Sequence, residues 1–177
     1  EIHTSLREHL FPGDGKEAAA ILLCNRHEGT RLKLLAKGLI LVPHDECKSR
    51  TRDFISWPGS YLEKAIDGAE ATSMSILLVH SHPGGLLEFS DLDDQSDADT
   101  MSSLYQGVST THGSAIMVST GEMRARIYRE GNYSESVMLI TVPGDDIFYW
   151  WGNSNQPQPS TMAFTSGMTD TFKRLTA

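Results

Sequence analysis

The sequence predicts a mixed α/β domain, and three features carry that expectation. Apolar runs of strand length recur along the chain, "MSILLVH" (74–80) being the most apolar. Between them, 60–72 and 90–108 carry the spacing or start signals of helices. Three more apolar or alternating runs follow between 114 and 142. The predicted order of the body is strand, strand, helix, strand, helix, strand, strand, strand.

Taken in turn, "TSLREHL" (4–10) reads as a short helix stopped by the breaker Phe11-Pro12-Gly13-Asp14-Gly15. "EAAAILLC" (17–24) is a continuous apolar run that periodicity alone leaves open between helix and buried strand. The run "TRLKLLAKGLILVP" (30–43), with "NRHEG" (25–29) as a hairpin turn between them, favours strand for both. Residues 44–59 read as loop. "SYLEKAIDGAEAT" (60–72) has Ser60 as N-cap, Glu63 at the capping-box position, and Leu62, Ala65, Ile66 and Ala69 at helical spacing. Residues 74–80 read as a central strand buried on both faces. Ser90, followed by acids in the first turn, starts a helix over 90–108. "SAIMVST" (114–120), "EMRARIYRE" (122–130) and "SVMLITV" (136–142) complete the strands. After Pro143 the composition turns to Gly, Pro, Ser, Asn and Gln. The expected organisation is thus a domain over 1–142 and a linker or C-terminal arm over 143–177. That arm has a sticky patch at Phe148, Tyr149, Trp150 and Trp151 and a short helix beginning at 168–175.

Bulk properties narrow the function. A chain of 177 residues with 39% hydrophobic and 21% charged residues suits one soluble domain with its own core. A formal net charge of −8 argues against a nucleic-acid binder working by phosphate neutralisation and against attraction to an anionic membrane. Two cysteines, Cys24 and Cys47, make no disulfide framework. No run reaches the roughly 18 apolar residues of a membrane span, and no signal pattern opens the chain, so a cytoplasmic location is expected. The start at Glu1 predicts a trimmed piece of a longer protein.

The stretch "HSHPGGLLEFSDLD" (80–93) carries the chemistry. His80 and His82, two apart on a strand, point to one side and can share a metal ion. A catalytic zinc takes three protein ligands. Glu88, Asp91, Asp93 and Asp94 are the nearby acids, and the Pro83-Gly84-Gly85 turn allows Asp93, about a turn into the next helix, to come back to the strand end. Zinc lowers the pKa of a bound water to about 7. Amide hydrolysis then needs a base for the water's proton and a donor for the oxyanion, for which a carboxylate and Ser90 are suited.

His-Ser-His-Pro, six residues, Ser, two residues and Asp together resemble the signature of the JAMM/MPN+ metalloproteases, in its prokaryotic branch. Here His80, Ser81, His82, Pro83, Ser90 and Asp93 fall in place. The resemblance covers roughly residues 10–142 and implies a cytidine-deaminase-like fold, a curved mixed sheet flanked by helices. It implies that His80, His82 and Asp93 bind one Zn2+ per chain and that Ser90 helps hold the oxyanion. It also implies a Glu opening the first apolar strand as general base and acid. Glu17 stands there, with Ala20 and Cys24 where the family commonly has glycine. Glu28 and Glu46 are the alternatives for the base, but neither opens an apolar run. Asp93 can also be read as a plain first-turn acid, Ser90 as only an N-cap, and Glu17 as a strand-entry surface acid. His44 and Cys47 supply two ligands, too few for a second zinc site.

The function implied is a zinc isopeptidase or peptidase acting at the C-terminus of a ubiquitin-like protein, on a conjugate or a precursor. The expected groove for that tail is walled by 44–59 and 84–89. Family members often accompany ubiquitin-activating-type adenylyltransferases, and "MTDTFKRLTA" resembles the lead-in to such a domain. The rival readings are a metal-free scaffold of the same fold and a hydrolase releasing a small amino acid from a carrier protein. The DNA-repair-associated relatives are disfavoured by the acidic charge.

Overall fold

A computed structural model describes residues 1–130, 133–144 and 147–152. Helix α1 (Ile2–Leu10) leads into the hairpin of β1 (Ala19–His27) and β2 (Lys33–Leu41). A 3-10 turn (His44–Glu46) and a small ladder of β3 (Ser49–Arg50) with β4 (Ile55–Ser56) occupy the expected loop. Then come α2 (Ser60–Thr72), β5 (Ser75–Ser81), α3 (Asp91–Gly107), β6 (His112–Met117), β7 (Met123–Arg129), β8 (Tyr133–Ser136), β9 (Leu139–Pro143) and β10 (Ile147–Trp151). Among the described residues, no helix is long and apolar enough to cross a membrane.

The main sheet has the order β2-β1-β5-β6-β7-β8. Its β5–β6 pair is parallel, and the other pairings are antiparallel. Parallel neighbours need a long crossover, which α3 supplies. The sheet is mixed because that one crossover is inserted into a chain of hairpins.

Strand alternation divides the core into two layers. Ala20, Leu22, Cys24, Val79, Ala115 and Ala125 face Leu6 and Leu10 of α1. Ile21, Ile76 and Tyr128 face Ala65 and Ala69 of α2 and Met101 and Leu104 of α3. β1 and β5 are apolar on both faces because helices cover both, as the unbroken runs "AAAILL" and "SILLV" require. The same alternation puts His80 on the α2/α3 face, in phase with Ile76. Glu17 lies there too, in phase with Ala19 and Ile21.

Three details differ from the sequence expectation. Ser60 does not cap α2: Gly59 is the N-cap, and its carbonyl accepts from Leu62 and Glu63 N–H at 2.9 and 3.0 Å. The Pro58-Gly59 turn already directs the chain into the helix, so no side-chain cap is used. The run 136–142 is not one strand. It parts at Val137–Met138, with β8 pairing to β7 and β9 pairing to β10. The expected arm beyond Pro143 begins, in its described part, as β10, whose Trp150 is buried and stacks on His3 at 5.5 Å. The helix expected at 168–175 lies outside the described residues.

Under the sheet, Asp97 is a buried hub on α3. It accepts from Ser114 Oγ, from Arg126 Nε at 2.8 Å and from Tyr128 hydroxyl at 3.0 Å. Each partner meets an acceptor without leaving the fold, which is what a buried charge requires. This hub ties α3 to β6 and β7 and so sets where the helix N-terminus arrives.

Candidate metal centre

The β1–β5 register builds the site. Ala19 lies opposite His80, and the pairing continues outward with Ser81 N–H donating to Ala18 O at 3.0 Å. Ala18 N–H in turn donates to Ser81 Oγ at 2.8 Å, so a buried hydroxyl closes the end of the ladder. Beyond it, His82 N–H donates to Met117 O of β6 at 2.8 Å. Two neighbouring strands thus hold the backbone on which both imidazoles stand.

Glu17 is fixed on the other side. Its N–H donates to Thr51 O at 2.7 Å, and its carbonyl accepts from Arg50 Nε at 2.7 Å. The β3–β4 ladder therefore pins this residue, a role no local sequence signal carried. Glu17 is buried, at 7% exposure, and burial pushes its carboxyl up to about 7. His80 and His82 oppose that rise electrostatically, while Asp93 and Asp53 add to it.

The third member of the candidate group, Asp93, arrives on α3. Ser90 caps the helix, and the Ser90–Asp93 capping box is complete. Asp93 N–H donates to Ser90 Oγ at 3.2 Å, and Ser90 N–H and Oγ both donate to Asp93 Oδ2 at 2.7 Å. The other carboxylate oxygen, Oδ1, stands 3.0 Å from His80 Nε2. His82 Nε2 is 3.5 Å from Oδ2 and 3.0 Å from His80 Nε2.

These donors suit a zinc-type cation. His82 Nδ1 lies 2.8 Å from Leu86 O, an acceptor only, so the ring proton sits on Nδ1 and Nε2 keeps a lone pair. That lone pair faces a second imidazole nitrogen and a carboxylate oxygen. The three ligand atoms lie within 4.8 Å of one another, and two nitrogens with one oxygen form a donor set zinc accepts. Without a cation, protons hold the cluster together. Burial works against charge on His82, but the bonds to Asp93 and to the Leu86 carbonyl and the charges of Asp93 and Glu17 together outweigh it and raise its pKa. Burial likewise opposes an ionised Asp93, yet the bonds from His80 and His82 hold its carboxyl well below the usual range.

Other candidates fall elsewhere. Glu28 pairs with Arg26 at the surface, and Glu46 accepts from Tyr61 hydroxyl at 2.7 Å. His44 donates to His9 O at 3.0 Å and stacks on His9, while Cys47 Sγ turns to Pro43 O. His44 therefore serves the α1 contact, and Cys47 a local turn. Among the described residues, His80, His82 and Asp93 form the metal-type group. Asp94 turns away to Arg126. A cavity of about 380 Å³ is lined by Glu88, Phe89, Asp94, Arg124, Arg126 and Ser136, and by none of Glu17, His80, His82 and Asp93. Of the two expected groove walls it shares the second, 84–89. Trp57, from the first, packs against the α2/α3 core.

Ser90 has one hydroxyl proton, and it is directed at Asp93. Ser90→Ala is therefore expected to lower stability by about 1 kcal/mol through the lost cap and also to weaken zinc binding, with Ser90→Thr closer to wild type. Urea unfolding and a zinc competition titration read the two effects separately.

A six-stranded mixed sheet between helical layers, with His-x-His at a central strand end and Asp on the following helix, defines a JAB/MPN-type fold with a metal-binding constellation. A family model described as prokaryotic homologues of the JAB domain matches residues 1–129, and the chain belongs to that family. A search of the curated proteins found no match. Family and site together mark a JAMM/MPN-type hydrolase or scaffold with a group able to bind one metal ion.

Proposed function

We propose that this protein is a zinc-dependent peptidase or isopeptidase that cleaves after the C-terminus of a ubiquitin-like protein. The observation that supports this most is the pairing of a complete His80–His82–Asp93 ligand set with Glu17 buried on the same face of the sheet. A scaffold has no use for a carboxylate buried beside three metal ligands, since burying one is unfavourable.

Zinc, when bound, supplies the Lewis acidity that amide hydrolysis needs near neutral pH. Glu17 takes the proton of the attacking water and delivers it to the leaving amine. A base is most effective when its pKa lies near the working pH, and burial moves Glu17 in that direction. A cation at the triad pulls it back towards the carboxylate form, leaving it ready to accept the proton. Ser90 orients Asp93 and, by turning its hydroxyl, serves the oxyanion. The exposed Leu86, on the loop 84–89, offers an apolar contact to an extended substrate tail.

The test is zinc content by elemental analysis, with cleavage of a ubiquitin-like fusion as the second readout. About one zinc per chain is expected, lost in His80→Ala/His82→Ala together with cleavage. A wild type that stays empty when zinc is supplied refutes the reading and leaves the scaffold. Zinc binding without cleavage of precursor or conjugate refutes the substrate assignment.

A further inference from the structure

We propose that Arg124 is a positioning residue for the metal site, acting through the loop that follows the histidines. Pairing sets its place: Ala19, His80, Ile116 and Arg124 form one row across β1, β5, β6 and β7. Arg124 therefore emerges on the same face as His80, with one strand between them.

Its guanidinium spans two backbone carbonyls. Nη1 donates to Leu87 O at 3.2 Å, and Nη2 donates to Gly152 O at 3.1 Å. Leu87 follows Leu86, whose carbonyl accepts from His82 Nδ1 and so keeps the Nε2 lone pair turned to the cluster. Restraining the Leu87 carbonyl restrains the peptide plane next to the one that orients His82. The loop needs such a brace. It contains Gly84 and Gly85, the latter at φ +81°, and its Leu86 is 62% exposed, so it has little packing of its own. The other end of the brace is the close of β10, which makes the β9–β10 hairpin the support for the metal loop. A planar fork can reach both carbonyls, whereas a lysine ammonium is a single point charge. Groups that orient a ligating histidine typically change metal affinity by about 10- to 100-fold when lost.

This inference rests on His80, His82 and Asp93 being metal ligands. The test measures zinc affinity by competition with a chromophoric chelator, and the visible spectrum of the Co2+-loaded protein, for wild type, Arg124→Met, Arg124→Lys and Ser136→Ala. Both Arg124 variants are expected to bind zinc about 10-fold or more weakly and to show a changed cobalt spectrum. Ser136→Ala, beside the same cavity, is expected to match wild type in both. An Arg124→Met protein with wild-type affinity and spectrum overturns the proposal. So does wild-type behaviour of Arg124→Lys, because charge without span would then suffice. If Arg124→Met fails to fold, judged by circular dichroism, Arg124→Lys decides. A wild type that binds neither metal overturns the metal reading itself and this proposal with it, whereas a metal-binding wild type with unaffected variants overturns Arg124 alone.

Discussion

Glu17→Gln is expected to lower cleavage of a ubiquitin-like fusion by about 10²- to 10⁴-fold, the usual contribution of a positioned general base, while zinc content stays at the wild-type level. The amide keeps the size of the side chain and cannot take a proton. The same substitution has a second consequence that needs no substrate. Burial, aided by Asp93 and Asp53, raises the Glu17 carboxyl from 4.5 to about 7 in the metal-free chain. For an acid whose folded pKa is raised, the neutral form is favoured in the fold. Its contribution is fully present below pH 4.5 and is lost as the pH rises through about 7. At pH 8 the wild type carries an ionised, buried carboxylate that costs on the order of 2–3 kcal/mol. Metal-free Glu17→Gln is therefore expected to be more stable than wild type at pH 8, with the advantage gone near pH 4.5. Urea unfolding at the two pH values, in the presence of chelator, checks this. A variant less stable than wild type at pH 8 would mean that Glu17 is not held in the buried state described here.

Zinc itself is expected to stabilise the fold. A ligand bound only by the native state at 1,000 times its Kd adds about 4 kcal/mol, which for a chain of this size corresponds to roughly 10 °C in Tm. Asp93→Asn is expected to remove that zinc-dependent increment. The amide oxygen can still accept from Ser90 N–H, so the helix cap survives, but the anionic ligand is gone. Because the signal is the difference between loaded and metal-free Tm of each protein, baseline changes in stability cancel. Retention of the full increment in Asp93→Asn would remove Asp93 from the ligand set.

Much of this site is legible in the sequence because its parts are local. The spacing of His80 and His82 places them on one side of a strand. Ser90 and Asp93, three apart at a helix start, form a capping box wherever such a start occurs. Strand type for 17–24, which periodicity left open, was resolved by the neighbouring run and is confirmed by the β1–β2 hairpin. Ser60 failed as a cap because a Pro-Gly turn precedes it, and a backbone turn can do the work that the capping pattern assigns to a side chain.

The sequence by itself thus determined the α/β class, the family resemblance, and the residues that carry ligand chemistry. Short-range spacing is enough to specify which faces and ends those side chains occupy. Tertiary structure decided what brings them together. The antiparallel register of β1 and β5 carries Glu17 to the side of His82. The Asp97 hub fixes where α3 delivers Asp93. The β3–β4 ladder clamps Glu17, and Arg124 reaches from β7 to the loop after the histidines. The Glu17 clamp and the Arg124 brace join residues more than thirty positions apart, through backbone carbonyls that every residue possesses. No residue type marks them in advance, and only the folded chain selects them.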